Sequence, residues 1–207
     1  MNYYIDFDNT VYETANLTKK MIRTICNSIV EMKKIDYEVV RQDVEDGFKS
    51  SEDNILDYAK KKAIKYEVNH EVVVDDVKRV IANGEEFVFE DAVKYIKHIK
   101  ESAANRVICL TYIPKTNQEY QLMKLQGSKI ASLFDEIMIT TEYKFTLDLK
   151  YDEGIFIDDS ARDLIGLHDA GAKNLIRIRR ENNKHSKVDI DSDYCIPEYK
   201  SFDELYK

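Results

Sequence analysis

The 207-residue chain is 34% charged and carries a formal net charge of −8 at pH 7, the profile of an ordinary acidic soluble protein and one that disfavours electrostatic binding to nucleic acid polymers or anionic membranes. Its length suffices for one good domain, or one domain with a modest insert. No stretch approaches the roughly 18 apolar residues of a membrane span, and the first residues form a strand bearing Asp6 rather than a basic and then apolar leader, so a cytoplasmic location is expected. Cys26, Cys109 and Cys195 show no CxxC spacing, which suggests reduced thiols rather than a zinc site or a disulfide framework. Cys109, inside Val107-Ile108-Cys109-Leu110, reads as a buried small hydrophobe rather than a nucleophile.

The first predicted element is a strand at Tyr3-Tyr4-Ile5, an apolar and aromatic run that delivers two carboxylates, Asp6 and Asp8, where it should end. In an open α/β sheet that end is where ligands bind. Two residues apart in extended chain, Asp6 and Asp8 would share one face with Phe7 turned into the core. Close acids in a poorly solvated spot invite a divalent cation or a shared proton. The plainer reading is a turn, with Asp8-Asn9-Thr10 capping the next helix.

From Leu17 to Ile35 apolar residues recur at helical spacing, at Leu17, Met21, Ile25, Ile29 and Met32, and further helices are expected over Tyr37–Phe48, Glu52–Lys65 and Asp75–Ile81. Ser50-Ser51-Glu52-Asp53 offers an N-cap and Ala82-Asn83-Gly84 a stop. A helical block of this size is too long for a simple crossover between parallel strands. It is read as an inserted all-helical cap domain over residues 16–85, joined by short hinges near 13–16 and 83–88 to an α/β core formed by 1–15 and 86–207. The core then continues with a helix over Glu90–Glu101, strands at Arg106–Thr111, Glu136–Thr140, Gly154–Asp158 and Asn174–Ile178, and helices over Asn117–Lys124 and Asp163–Ala170, the last ended by Gly171. The fold class is α/β, with a Rossmann-like parallel sheet. A short docking helix is expected near Phe202, Leu205 and Tyr206.

The strand Gly154-Ile155-Phe156-Ile157 repeats the pattern of the first by stopping at paired acids, Asp158-Asp159. Two such strands in one parallel sheet would gather three or four carboxylates at one edge. Asp6-Phe7-Asp8-Asn9-Thr10 followed much later by Asp158-Asp159 resembles the haloacid dehalogenase superfamily of phosphohydrolases, in the right order and over nearly the whole chain. Thr111, closing a middle strand, and Lys144, upstream of the last acids, are the best fits to its other two signatures. Lys150 is the competing lysine; Lys144 is preferred because it closely follows the third core strand.

The resemblance implies a magnesium-dependent phosphatase acting on a small phosphomonoester metabolite beneath a helical cap of the C1 type. Asp6 would be the nucleophile that forms an aspartyl-phosphate, and Asp8 the acid and then the base, its backbone carbonyl also meeting the metal. Thr111 and Lys144 would bind phosphate. Asp159 would contact Mg²⁺ directly and Asp158 through water, and an all-oxygen site without a His or Cys cluster suits that ion. Asp163 completes an Asp-Ser-x-x-Asp spacing or merely favours a helix dipole. A 5′-nucleotidase is the narrower version. A phosphomutase or phosphotransferase shares the intermediate, and a phosphate-ligand binding protein without turnover is the rival from another class; a dehalogenase would need no acid at Asp8. The basic run Arg177, Arg179, Arg180, Lys184 and Lys187 reads as a solvated face, the four histidines show no metal spacing, and Tyr12, Tyr112 and Tyr143 flank the motifs. Oligomeric state is not readable.

Overall fold

The computed structural model describes residues 1–181 and 183–206, without the side chains of Thr116 and Lys184. Six strands form one sheet: β1 (Asn2–Ile5), β2 (Arg106–Tyr112), β3 (Glu136–Thr140), β4 (Gly154–Asp158), β5 (Asn174–Ile178) and β6 (Glu198–Tyr199). All pairings are parallel and the order is β3-β2-β1-β4-β5-β6. Chain progression reverses direction at β1, between β2 and β4, which makes the carboxyl end of β1 the switch point where open α/β sheets bind ligands.

Period-2 alternation sorts the strand side chains. Ile5, Val107 and Cys109 join the large core cluster, while Tyr4, Ile108, Leu110 and Phe156 form a second cluster on the other face. Because both faces are covered, β2 and β4 read as near-continuous apolar runs. Cys26 and Cys109 are buried free thiols, and burial pushes both thiols up, so neither is an activated nucleophile.

The long first crossover contains four α-helices, α1 (Thr14–Lys33), α2 (Tyr37–Lys49), α3 (Ile55–Lys65) and α4 (His70–Ala82). Their apolar stripes, among them Leu17, Met21, Ile25 and Ile29 of α1 with Val73, Val77 and Ile81 of α4, are fully buried. Each such side chain contributes about 1.5–3 kcal/mol of burial. After α5 (Glu90–Ile99) the core helices are α6 (Gln118–Ser128) and α7 (Ala161–Asp169). The helical segment packs on the core through α4 and α6, and Gly127 allows that approach: a Cβ there would lie 1.9 Å from the Ile81 carbonyl oxygen. The two crossings between segment and sheet also bond to each other, with Glu13 N–H donating to Phe87 O at 2.7 Å and Phe89 N–H to Val11 O at 3.0 Å.

Several local expectations need correction. α3 begins at Ile55, not Glu52, because Asn54 takes the N-cap and accepts from the Leu56 and Asp57 amides, while Asp53 is drawn instead to Lys61. The tail ends in a 3₁₀ turn, Phe202–Tyr206, rather than a docking helix, though Phe202 is buried and packs on Tyr95. β6 was not expected, since two residues are too few to show a period. The basic run is a solvated face only in part: Lys187 is exposed, but Arg177 is fully buried and Arg180 nearly so, the latter paired with Asp91 and stacked 3.6 Å from the Phe89 ring. The Lys184 side chain lies outside the described residues.

Candidate active site

The Ile5↔Ile157 register sets the ends of β1 and β4 side by side, and Asp6 N–H donates to Ile157 O at 2.9 Å. Asp6 therefore emerges next to Asp158 and Asp159. Asn9 makes the turn possible: its φ of +60 is left-handed, a conformation Asn tolerates better than most residues. Thr10, fully buried, then donates its hydroxyl to Asp6 Oδ2 at 3.0 Å.

Asp6, Asp158 and Asp159 each offer an oxygen within 4.8 Å of the others, and all three are buried. Lys144 reaches into this cluster from the turn after β3, with its Nζ 2.6 Å from both Asp6 Oδ1 and Asp158 Oδ2. The competing Lys150 is exposed and pairs with Glu153. Asp158 is fully engaged, because its second oxygen accepts from Ser160 N–H at 2.9 Å. Asp159 receives a hydrogen bond from Asn183 on Oδ2.

Burial pushes the Asp6 carboxyl well above the usual range, opposed by Lys144 and reinforced by the other acids. Burial raises Asp158 as well, and with Asp158 alongside it pushes Asp159 up to about 7. The Lys144 ammonium, which burial alone would lower, is held up by Asp158 and Asp6. Three desolvated carboxylates against one ammonium leave an excess of negative charge, and the oxygen-only donor set fits a hard divalent cation.

Asp8 lies apart from this cluster. Its carboxylate accepts from the Lys124 ammonium, from the Thr14 hydroxyl and, at 2.8 Å, from Gln121 Nε2. Burial would raise its pKa, but Lys124 and these hydrogen bonds hold it below the ordinary value. The same Gln121 amide donates to Thr111 Oγ1 at 2.9 Å, joining the two predicted residues through one side chain. Thr111 is only 1% exposed, with its hydroxyl hydrogen left over for another acceptor.

Sequence reasoning missed Gln121 and Lys124. Three residues apart, they share a face of α6, and that face is inward: both are buried. The available signal was polar side chains on the apolar side of a core helix. It also missed Asn183 and the role of Arg177, whose guanidinium donates to Asp159 O, Glu198 Oε1, His185 O and Val188 O and so fastens the 183–188 turn beside Asp159. Asp163 is buried and pairs with Arg162 while standing in the first turn of α7. A cleft of about 410 Å³ opens over the acids, lined from the sheet side by Asp6, Asp8 and Lys144 and from the helical segment by Met21, Phe48 and Ile55. His185 and Tyr112 also line it. Tyr12 instead is buried against Phe7.

No protein-family model and no curated protein sequence matches the chain. Solved structures do. The HAD phosphatase from Thermococcus onnurineus superposes with a TM-score of 0.60 at 14% identity, covering 99% of this chain and 95% of its own. The proposed HAD-hydrolase YfnB from Bacillus subtilis, bound to magnesium, gives 0.58 at 14% identity over 99% and 96%. The L-2-haloacid dehalogenase from Xanthobacter autotrophicus gives 0.55 at 8% identity over 99% and 96%. The fold is that of the haloacid dehalogenase-like hydrolases, a fold that hosts both phosphate and halide chemistry.

Proposed function

We propose that this protein is a magnesium-dependent phosphatase that hydrolyses a small phosphomonoester through an aspartyl-phosphate. The observation that carries the reading is the bonded cluster of Asp6, Lys144, Asp158 and Asp159 at the switch point of the sheet. Similarity to a phosphatase and to a magnesium-bound neighbour adds to it. Asp6, the Asp8 backbone carbonyl and Asp159 would hold Mg²⁺, with Asp158 acting through water. The ion would neutralise phosphoryl charge and align it with Asp6.

Asp6 attacks phosphorus, an Asp–O–P bond forms and the bond to the leaving oxygen breaks. Asp8, carrying a proton when substrate is bound, gives it to the leaving oxygen and then takes one from the water that attacks the phosphorus of the intermediate. Lys144 supplies a compact positive charge to Asp6 and the transferred group. Thr111, whose lone pair Gln121 occupies, turns its hydrogen toward a phosphoryl oxygen. The helical segment acts as a cap that limits water access and selects the leaving group.

Phosphate release from nucleotides, sugar phosphates and acetyl phosphate, with magnesium or chelator, tests this for wild type and Asp6→Asn. Magnesium-dependent release abolished by the substitution is expected. Release that persists in Asp6→Asn would remove the covalent route, and binding without release would favour a non-catalytic phosphate-binding role.

A further inference from the structure

Three rings form a ladder beside the cleft. Phe145 stacks on Tyr143 with centroids 5.3 Å apart and planes 4° apart, and Tyr143 stacks on Tyr112 at 5.3 Å and 21°. Tyr112 is the end ring, and it lines the cleft. Arg162 lies 4.7 Å from the Tyr143 ring centre and 5.6 Å from that of Tyr112. Its guanidinium lies over both rings, closer to Tyr143 than to Tyr112. Among the described residues no ring besides Tyr143 stacks on Tyr112.

Two further features surround the same space. Phe48, Ile55 and Met21 supply apolar surface from the helical segment, a poor match for the hydroxyls of a bare polyol. Asn117, also on the cleft wall, has a buried Oδ1 with no hydrogen-bond partner. A buried acceptor left unpaired is costly, so a ligand donor there would be favoured.

Resting on the phosphatase reading, we propose that the leaving alcohol carries a planar ring that stacks on Tyr112 where it lines the cleft and presents an edge N–H or O–H to Asn117 Oδ1. Nucleoside monophosphates have this chemistry. The cleft of about 410 Å³ falls in the size range of small-molecule sites.

The test compares adenosine 5′-monophosphate, glucose 6-phosphate and acetyl phosphate, in wild type, Tyr112→Leu, Tyr112→Phe and Asn117→Leu. Wild type should favour the nucleotide over the sugar phosphate by at least about tenfold in kcat/KM, since one base-to-aromatic stack is worth on that order or more. Tyr112→Leu should lower kcat/KM for the nucleotide about tenfold more than for acetyl phosphate, through KM, with Tyr112→Phe restoring most of the loss. Asn117→Leu should likewise raise KM for the nucleotide preferentially. A sugar phosphate preferred over the nucleotide, or equal losses on nucleotide and acetyl phosphate in Tyr112→Leu, overturns the proposal. If no compound releases phosphate, calorimetric titration with adenosine 5′-monophosphate separates the two ideas. Binding weakened by Tyr112→Leu sustains the ring site and sinks the phosphatase, whereas no binding sinks both.

Discussion

Replacing Lys124 by Met isolates the interaction that sequence reasoning did not find. The side chain is 1% exposed and its ammonium meets an Asp8 carboxylate that is 22% exposed, so the substitution keeps the stem but leaves a largely buried anion without its counter-charge. Truncating one partner of a buried pair costs about 3–5 kcal/mol. Asp8 keeps the Thr14 and Gln121 donors, which places the loss at the lower end, about 3 kcal/mol. The contact with the Tyr120 ring, 4.8 Å from Nζ, adds about 0.5–1 kcal/mol. In a chain of this size that predicts a melting temperature lower by about 7–16 °C. Urea unfolding followed by far-ultraviolet circular dichroism reads it, and the Asp8→Asn, Lys124→Met pair closes a double-mutant cycle with a coupling of about 2 kcal/mol. The sign with pH is fixed. Asp8 titrates below its unfolded value, so its contribution is present above about pH 4 and is lost as pH falls through the folded value. The gap between wild type and Lys124→Met should therefore narrow in acid. A loss under about 1 kcal/mol that simply adds to that of Asp8→Asn would refute the assignment of a buried, energetically coupled pair.

The acid cluster gives the opposite pH trend. Asp159 titrates upward, to about 7, so its stabilising contribution is complete below about pH 4 and is lost as pH rises through 7; melting scans should show MgCl₂ raising the transition more at pH 8 than at pH 5, and an equal or reversed increment would count against cation binding at these carboxylates. Gly127→Ala drives a Cβ into the Ile81 carbonyl, and relieving that contact must separate α4 from α6, so limited proteolysis should cut the helical segment faster than in wild type; an unchanged cleavage rate would mean that the two helices are not held by that contact.

Much of the frame was readable because its signals are local. β1 and β4 announce themselves as apolar runs that stop at acids, and Lys144 is found by its place after β3. The chain order of those elements predicted which carboxylates would meet. What stayed hidden depends on which way a polar residue faces. Gln121 and Lys124 look like the solvent side of an ordinary helix until α6 is laid against the sheet, and Arg177 sits in a basic run that reads as surface until β6 and the 183–188 turn close over it. In Ser51-Glu52-Asp53-Asn54 several residues can cap a helix, and the pull of Lys61, from within the same helix, on Asp53 leaves the cap to Asn54.

The laced crossings at Val11–Glu13 and Phe87–Phe89 determine what kinds of displacement the helical segment can undergo. Two separate tethers would let it slide, twist and drift. Two tethers hydrogen-bonded to each other behave as a single leaf spring, easy to flex across its width and resistant to shear along its length, since sliding one crossing past the other breaks both bonds at once. One bending coordinate is then the displacement these two bonds oppose least. The amide protons of Glu13 and Phe89 lie on it, and their exchange with solvent deuterium is a local clock for that motion.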